Sequence, residues 1–170
     1  MKNTQLLISA LLLAATVQVA GLSAQTQSVE IKRINPPTLY ETSAYTQVTT
    51  VSAGMKLVMI AGQVGRELNP EGPNTEENSD ACPHPDMRGQ YIVTMENVGK
   101  ALAAGGATWD DVVRIRKFTT DMDAYLTVSH DLPVYWSPDK PPSSTLIEVS
   151  RLADPCFLVE IDVTAVVEPD

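Results

Sequence analysis

Basic residues are scarce in this 170-residue chain: 12 lysines and arginines stand against 21 aspartates and glutamates, a formal net charge of −9. That shortage argues against a nucleic-acid partner, because such affinity comes largely from Lys and Arg on phosphates. It equally argues against a polybasic patch for a membrane surface. Cysteine is rarer still. Cys82 and Cys156 are the only two, too few for a disulfide scaffold or a four-Cys zinc site. Histidine adds little. His84 forms only a C-x-H pair with Cys82, whereas zinc needs three or four protein ligands. No metal is expected. What remains, 44% hydrophobic and 19% charged residues, describes one globular domain, large enough to bury a core without staples.

Residues 1–24, MKNTQLLISALLLAATVQVAGLSA, read as a Sec-type signal peptide: Lys2, an apolar stretch from Leu6 to Ala20, then the small residues Ser23 and Ala24. Thr16 and Gln18 interrupt the apolar run, which falls short of the ~20 residues a spanning helix needs. Removing the segment takes away Lys2 and leaves 11 basic against 21 acidic residues, −10. The expectation is an exported protein, periplasmic or secreted, with no membrane partner once cleaved. Export opens the way to a Cys82–Cys156 bridge. The favoured reading is two free thiols, one in a loop and one partly buried.

Along the mature chain, residues 25–170, Val29 to Ile34 alternates as a strand before Pro36-Pro37. Tyr45 to Val51 and Lys56 to Ile60 have strand composition around Ser52-Ala53-Gly54, which predicts a hairpin. Residues 66–86, with four prolines, predict a long polar loop. Arg88 to Gly105 has helical spacing through Ile92, Met95, Val98 and Leu102, closed by Gly105-Gly106. Thr108 and Asp111 resemble a capping box. Val112 to Thr120 predicts a strand with Val113, Ile115 and Lys117 on one side. A second helix is predicted from about Asp123 to Leu132, ahead of Pro133. Two strands follow, Thr145 to Val149 and Leu158 to Val167. The order β-β-β-α-β-α-β-β predicts an α+β fold, a mixed sheet with two helices on one face. The uncovered face then calls for an oligomer.

Several residues together resemble the YjgF/RidA family. They are Tyr45 with Gln47, the Ala61-Gly62-Gln63-Val64 segment, Gln90 with Asn97, the stretch LAAGGATWDDVVRIRKFTTD (102–121), Pro142 to Val149, and Leu158 to Asp162. No single piece is diagnostic; the ordered set is. The resemblance implies a chorismate-mutase-like fold and a homotrimer whose sheets line a barrel, with three clefts between neighbours. It also implies hydrolysis of reactive enamines or imines to a keto acid and ammonia, without metal or cofactor.

The family pattern carries over residue by residue. Glu160 matches the last-strand glutamate that orients water, and is the expected catalytic residue. Tyr45 matches the cleft aromatic, and Gly62 the glycine whose backbone faces the ligand. Ala61 stands where many members carry serine. Thr145 and Leu146 continue the binding strand, Leu146 acting through its backbone, and Ser129 falls near a family asparagine. Ser144 occupies the position of the arginine that clamps a substrate carboxylate. A charge-assisted two-pronged contact is roughly twice as strong as a neutral hydrogen bond, so its loss points away from imino acids. Arg151 matches a different, structural arginine. Two readings follow: an altered imine or enamine hydrolase, or a non-catalytic trimer holding a small neutral ligand. Of the remaining residues, Arg116 and Lys117 are read as offsetting nearby acids and His130 as an inert surface histidine. Asp110-Asp111 is read as a helix-start charge pair, and Trp109, Tyr135 and Trp136 as core or subunit-contact aromatics.

Overall fold

The computed structural model describes residues 30–69, 71–72, 77, 79–80 and 82–169; the expected signal peptide lies outside them. Four strands form the central sheet in the order β3 (Lys56–Val64), β8 (Val159–Val167), β6 (Val112–Thr119), β7 (Ser143–Glu148). The β3–β8 and β8–β6 pairs are antiparallel and β6–β7 is parallel. A parallel pair needs a crossover, and helix α2 (Met122–Ser129) lies within that connection. With α1 (Met87–Ala104) it covers one face of the sheet, as the element order predicts.

The strict alternation of β8 builds the core. Val159, Ile161, Val163 and Ala165 point to the helices and are fully or almost fully buried, because successive strand residues face opposite sides. They meet Tyr91, Met95, Val98 and Leu102, one stripe of α1 at helical spacing. Ile92, expected on that stripe, is only half-buried, and Tyr91 takes its place. Asp86 caps α1 by accepting from the Gly89 N–H at 2.9 Å. Gly106, at φ +76°, ends the turn beyond it in the left-handed region that glycine adopts at no steric cost. Thr108 donates its N–H and hydroxyl to the Asp111 carboxylate at 2.8 and 2.7 Å, at the start of a 3-10 turn (Trp109–Asp111). Trp109 packs on Tyr135 and Trp136, with ring centroids 5.1 and 6.4 Å away.

The structure corrects three further expectations about pairing, facing and crosslinking. First, Tyr45–Val51 and Lys56–Ile60 do not form a hairpin: β2 (Val48–Val51) pairs with β1 (Ile31–Ile34), Ile31 opposite Val51, while β3 pairs with β8. Pairing with β8 gives the longer ladder and buries Val58. Second, Val113 does not share a face with Ile115. The β6–β8 register shifts between Val112 and Arg114. This bulge leaves Val112 and Ile115 on the helices and puts Val113 beside Thr49 and Val51 of β2. Third, Cys82 and Cys156 form a disulfide, with Cα atoms 6.1 Å apart, and no free cysteine exists. The bridge ties the 66–86 segment to the approach to β8. In that segment β4 (Glu67–Leu68) pairs with β5 (Ser79–Asp80).

The face away from the helices carries Leu57 and Met59, 61% and 78% exposed, and Ile147. Among the described residues no helix is long and apolar enough to cross a membrane.

Candidate functional site

Glu160 stands in a row across the sheet, between Phe118 of β6 on one side and Val64 of β3 on the other. Even-numbered residues of β8 point away from the helices, so Glu160 belongs to the open face with Asp162 and Thr164. The β3 strand carries one extra residue there. Ile60 pairs with Val163 but Gln63 pairs with Ile161, so Ala61 and Gly62 bulge opposite Asp162. A Cβ on Gly62 would overlap the Glu160 carboxylate, lying 2.7 Å from its Cδ and 2.9 Å from its Cγ. Glycine at 62 is therefore what lets the carboxylate lie across β3. An isolated glycine inside a strand pattern signals such a close approach.

Beside this pair Arg116 grips Asp162 with two contacts, Nη2–Oδ2 at 2.7 Å and Nε–Oδ1 at 2.9 Å. Its guanidinium also lies 5.8 Å from the Phe118 ring centroid. Arg116 thus offsets an acid, as expected. Lys117 does not. It sits on the helix-facing side between Leu146 and Ile161, and burial alone pushes its amine below the usual lysine range. Asp110 accepts from the Ser137 N–H and hydroxyl at 2.8 Å each, with Lys140 at 3.4 Å. The Ser137 backbone bond above all holds its carboxyl below the ordinary value.

Two cavities meet at Gly62. One, of about 430 Å³, runs over the open face along Met59, Ala61, Gly62, Arg116, Asp162 and Thr164. The other, of about 410 Å³, lies between the end of β3 and α1, lined by Gly62, Val64, Arg66, Asn97 and Lys100 among others. Asn97 spans that corner: its amide donates to the Val64 and Arg66 carbonyls at 3.0 and 2.8 Å and its oxygen accepts from Lys100 Nζ at 3.1 Å. As cavity-lining side chains, Arg66 and Lys100 escaped the sequence reading. The available signal was Asn97 and Lys100 three residues apart on α1.

The other expected binding residues lie elsewhere. Ser144 and Leu146 pair with Ile115 and Lys117, and Thr145 with Arg116. They sit on β7, the sheet edge opposite β3. Tyr45 lies at the same edge, because its neighbour Thr46 donates its N–H to the Pro142 carbonyl at 3.1 Å. Two ladder steps separate β7 from β8, ~10 Å. Ser129 is at the end of α2, its hydroxyl donating to the Leu126 carbonyl at 2.8 Å. One chain therefore brings together Ala61, Gly62 and Glu160, and separately Tyr45, Ser144, Thr145 and Leu146. His130 is exposed beyond α2.

Comparison with known proteins agrees with this architecture. The family model described as endoribonuclease L-PSP matches residues 38–167. The chain is 33% identical over 122 residues to Protein DfrA of Myxococcus xanthus, covering 72% of this chain and 84% of that one. It is 28% identical over 109 residues to the RutC family protein YjgH of Escherichia coli, covering 62% and 72%. Among solved structures, the Rid-family protein YyfB of Yersinia pestis superposes with a TM-score of 0.64 at 23% identity, over 81% of this chain and 98% of that one. YyfB is described as of unknown function, and at that identity it speaks for the fold.

Proposed function

The chain belongs to the endoribonuclease L-PSP family, the YjgF/RidA family, and from that premise we propose that it hydrolyses reactive enamines or imines in a cleft between the subunits of a homotrimer. One observation carries the reading. The residues expected to act together stand at opposite sides of one sheet, Ala61, Gly62 and Glu160 near the β3 edge and Ser144 to Leu146 on β7. A closed ring of head-to-tail contacts brings the β3 edge of one copy to the β7 edge of the next. The same ring covers the exposed Leu57, Met59 and Ile147.

The chemistry asks little of the protein. An iminium carbon is already electrophilic, and water adds to it, losing a proton. Collapse then expels ammonia and leaves a carbonyl. In this reading Glu160, whose carboxylate lies against Gly62, orients the water and carries its proton from the attacking oxygen to the departing nitrogen. Ser144 at the start of β7 supplies a hydroxyl and no charge, so the substrate is neutral or weakly polar on that side. The Cys82–Cys156 disulfide supports export to an oxidising compartment.

Ammonia release from imines generated in situ tests the reading, neutral imines against imino acids. Activity lost in Glu160→Gln, with the fold retained, supports it. A rate unchanged in that variant refutes the mechanism, and a monomer in sedimentation refutes the cleft. The same uncharged Ser144 favours a second reading, a non-catalytic trimer that holds a small neutral ligand. Ligands that raise the melting temperature without ammonia release from any imine would select it.

A further inference from the structure

The disulfide corner holds one more chemical group. Asp154 lies two residues before Cys156, and a carboxylate oxygen of Asp154, Cys82 Sγ and Cys156 Sγ all fall within 4.8 Å of one another. Each of the three is half-buried. The two sulfurs are close because they are bonded to each other; reduced to thiolates beside the carboxylate, they become the donor set of a borderline-soft divalent cation, with Zn–S about 2.3 Å and Zn–O about 2.0–2.2 Å. The Cα separation of 6.1 Å needs little change as the two sulfurs part to make room for an ion.

What keeps the sulfurs together without their bond is the backbone around them. Cys82 N–H donates to Asp80 Oδ1 at 2.9 Å and Cys156 N–H to Asp154 Oδ1 at 3.0 Å. The buried Gln90 ties both flanks to α1: its amide donates to the carbonyls of His84 and Cys156 at 3.0 and 2.8 Å. Its oxygen accepts from the Leu158 N–H at 2.8 Å. Each cysteine is therefore flanked by hydrogen bonds in which its sulfur takes no part.

We propose that reduction turns this corner into a metal site, in which Cys82, Cys156 and Asp154 hold one zinc-like ion with a fourth position open to water. The reductant is a dithiol. It passes two electrons and two protons to the disulfide, becoming a disulfide itself and leaving two thiols. The ion then displaces both thiol protons, and two metal–sulfur bonds form. The crosslink between the 66–86 segment and the approach to β8 is covalent when oxidised and metallic when reduced. This inference does not depend on the catalytic reading.

The full chain, reduced by a dithiol and freed of it without oxygen, is titrated with Zn²⁺ against a chromogenic chelator, and with Cd²⁺ for its thiolate charge-transfer band. One equivalent per chain is expected when reduced and none when oxidised. Asp154→Asn should weaken binding by about tenfold or more, and Cys82→Ser should abolish the cadmium band. Equal binding in the two redox states, no binding to the reduced chain, or undiminished affinity in Asp154→Asn overturns the proposal. Circular dichroism follows the fold throughout. A reduced chain that unfolds and is not restored by Zn²⁺ also overturns it.

Discussion

Replacing both cysteines, Cys82→Ser with Cys156→Ser, removes a crosslink that closes 74 residues of chain. In the native state that loop already follows a fixed path through α1, β6, α2 and β7, so the loss falls on the unfolded ensemble, which gains freedom. The chain-entropy relation puts the gain for a loop of this length at about 4 kcal/mol. Unfolding entropy for a domain this size is on the order of 0.3 kcal/mol per degree, so the melting temperature should fall by roughly 15 °C. Thermal and urea melts of the double variant, the oxidised wild type and the reduced, metal-free wild type, all at one protein concentration, measure it. Equal concentration matters because any self-association adds stability by mass action. The urea slope should steepen as the freed chain exposes more surface. A drop of only a few degrees would refute the reasoning: the loop would then be constrained in the unfolded chain by something other than the bridge.

Four further outcomes follow from the packing. Gly62→Ala pushes a methyl into the space of the Glu160 carboxylate. Because that is the movable end of a side chain, stability should change by under about 1 kcal/mol, while any imine hydrolysis falls as sharply as in Glu160→Gln. Gln90→Ala leaves two carbonyls and one N–H without their partner in a fully buried place, at a cost of about 3 kcal/mol or more in urea melts. Burial raises Tyr91 beyond the usual phenol range and Tyr125 to about 12. The stability this represents is intact below the unfolded phenol value near 10. It drains away as pH climbs through 10 to 12, read by melts alongside tyrosine absorbance. Lys117 is opposite in sign: its folded value is depressed, so the penalty on the native state grows as pH falls below about 10. Lys117→Met should therefore raise the melting temperature at pH 7, by an increment that shrinks at alkaline pH.

Much of the fold was legible because burial writes periodicity into sequence. Val159, Ile161, Val163 and Ala165 alternate because β8 is the centre of the sheet with helices on one side, and Met95, Val98 and Leu102 repeat because α1 lies over it, whereas the first position of that stripe belongs to Tyr91 and not to Ile92. Long-range pairing leaves no such mark. Ser52-Ala53-Gly54 reads as a local turn, yet β3 finds its partner about a hundred residues later in β8. Nor does spacing tell two cysteines 74 residues apart that they meet. Lys117 looked like one half of an ion pair. Alternation does place it with Ile115 on the helix side, but the acid it would have needed, Asp162, faces the other way toward Arg116. At the candidate site, Gly62 and Glu160 were visible only through the family pattern. The physical link between them, a carboxylate lying where a Cβ would be, exists only in the folded chain.

The sheet ends in two outer strands, β3 and β7, and among the described residues neither has a further ladder partner. Outer strands invite indefinite addition of more chains, the route to fibres. Here both are blunted: the extra residue at Ala61-Gly62 breaks the straight run of β3, and Pro141-Pro142 ahead of β7 offers no N–H for extension. The devices that shape a pocket thus also act as stops, leaving each border able to accept a short, defined docking and unable to template an endless one.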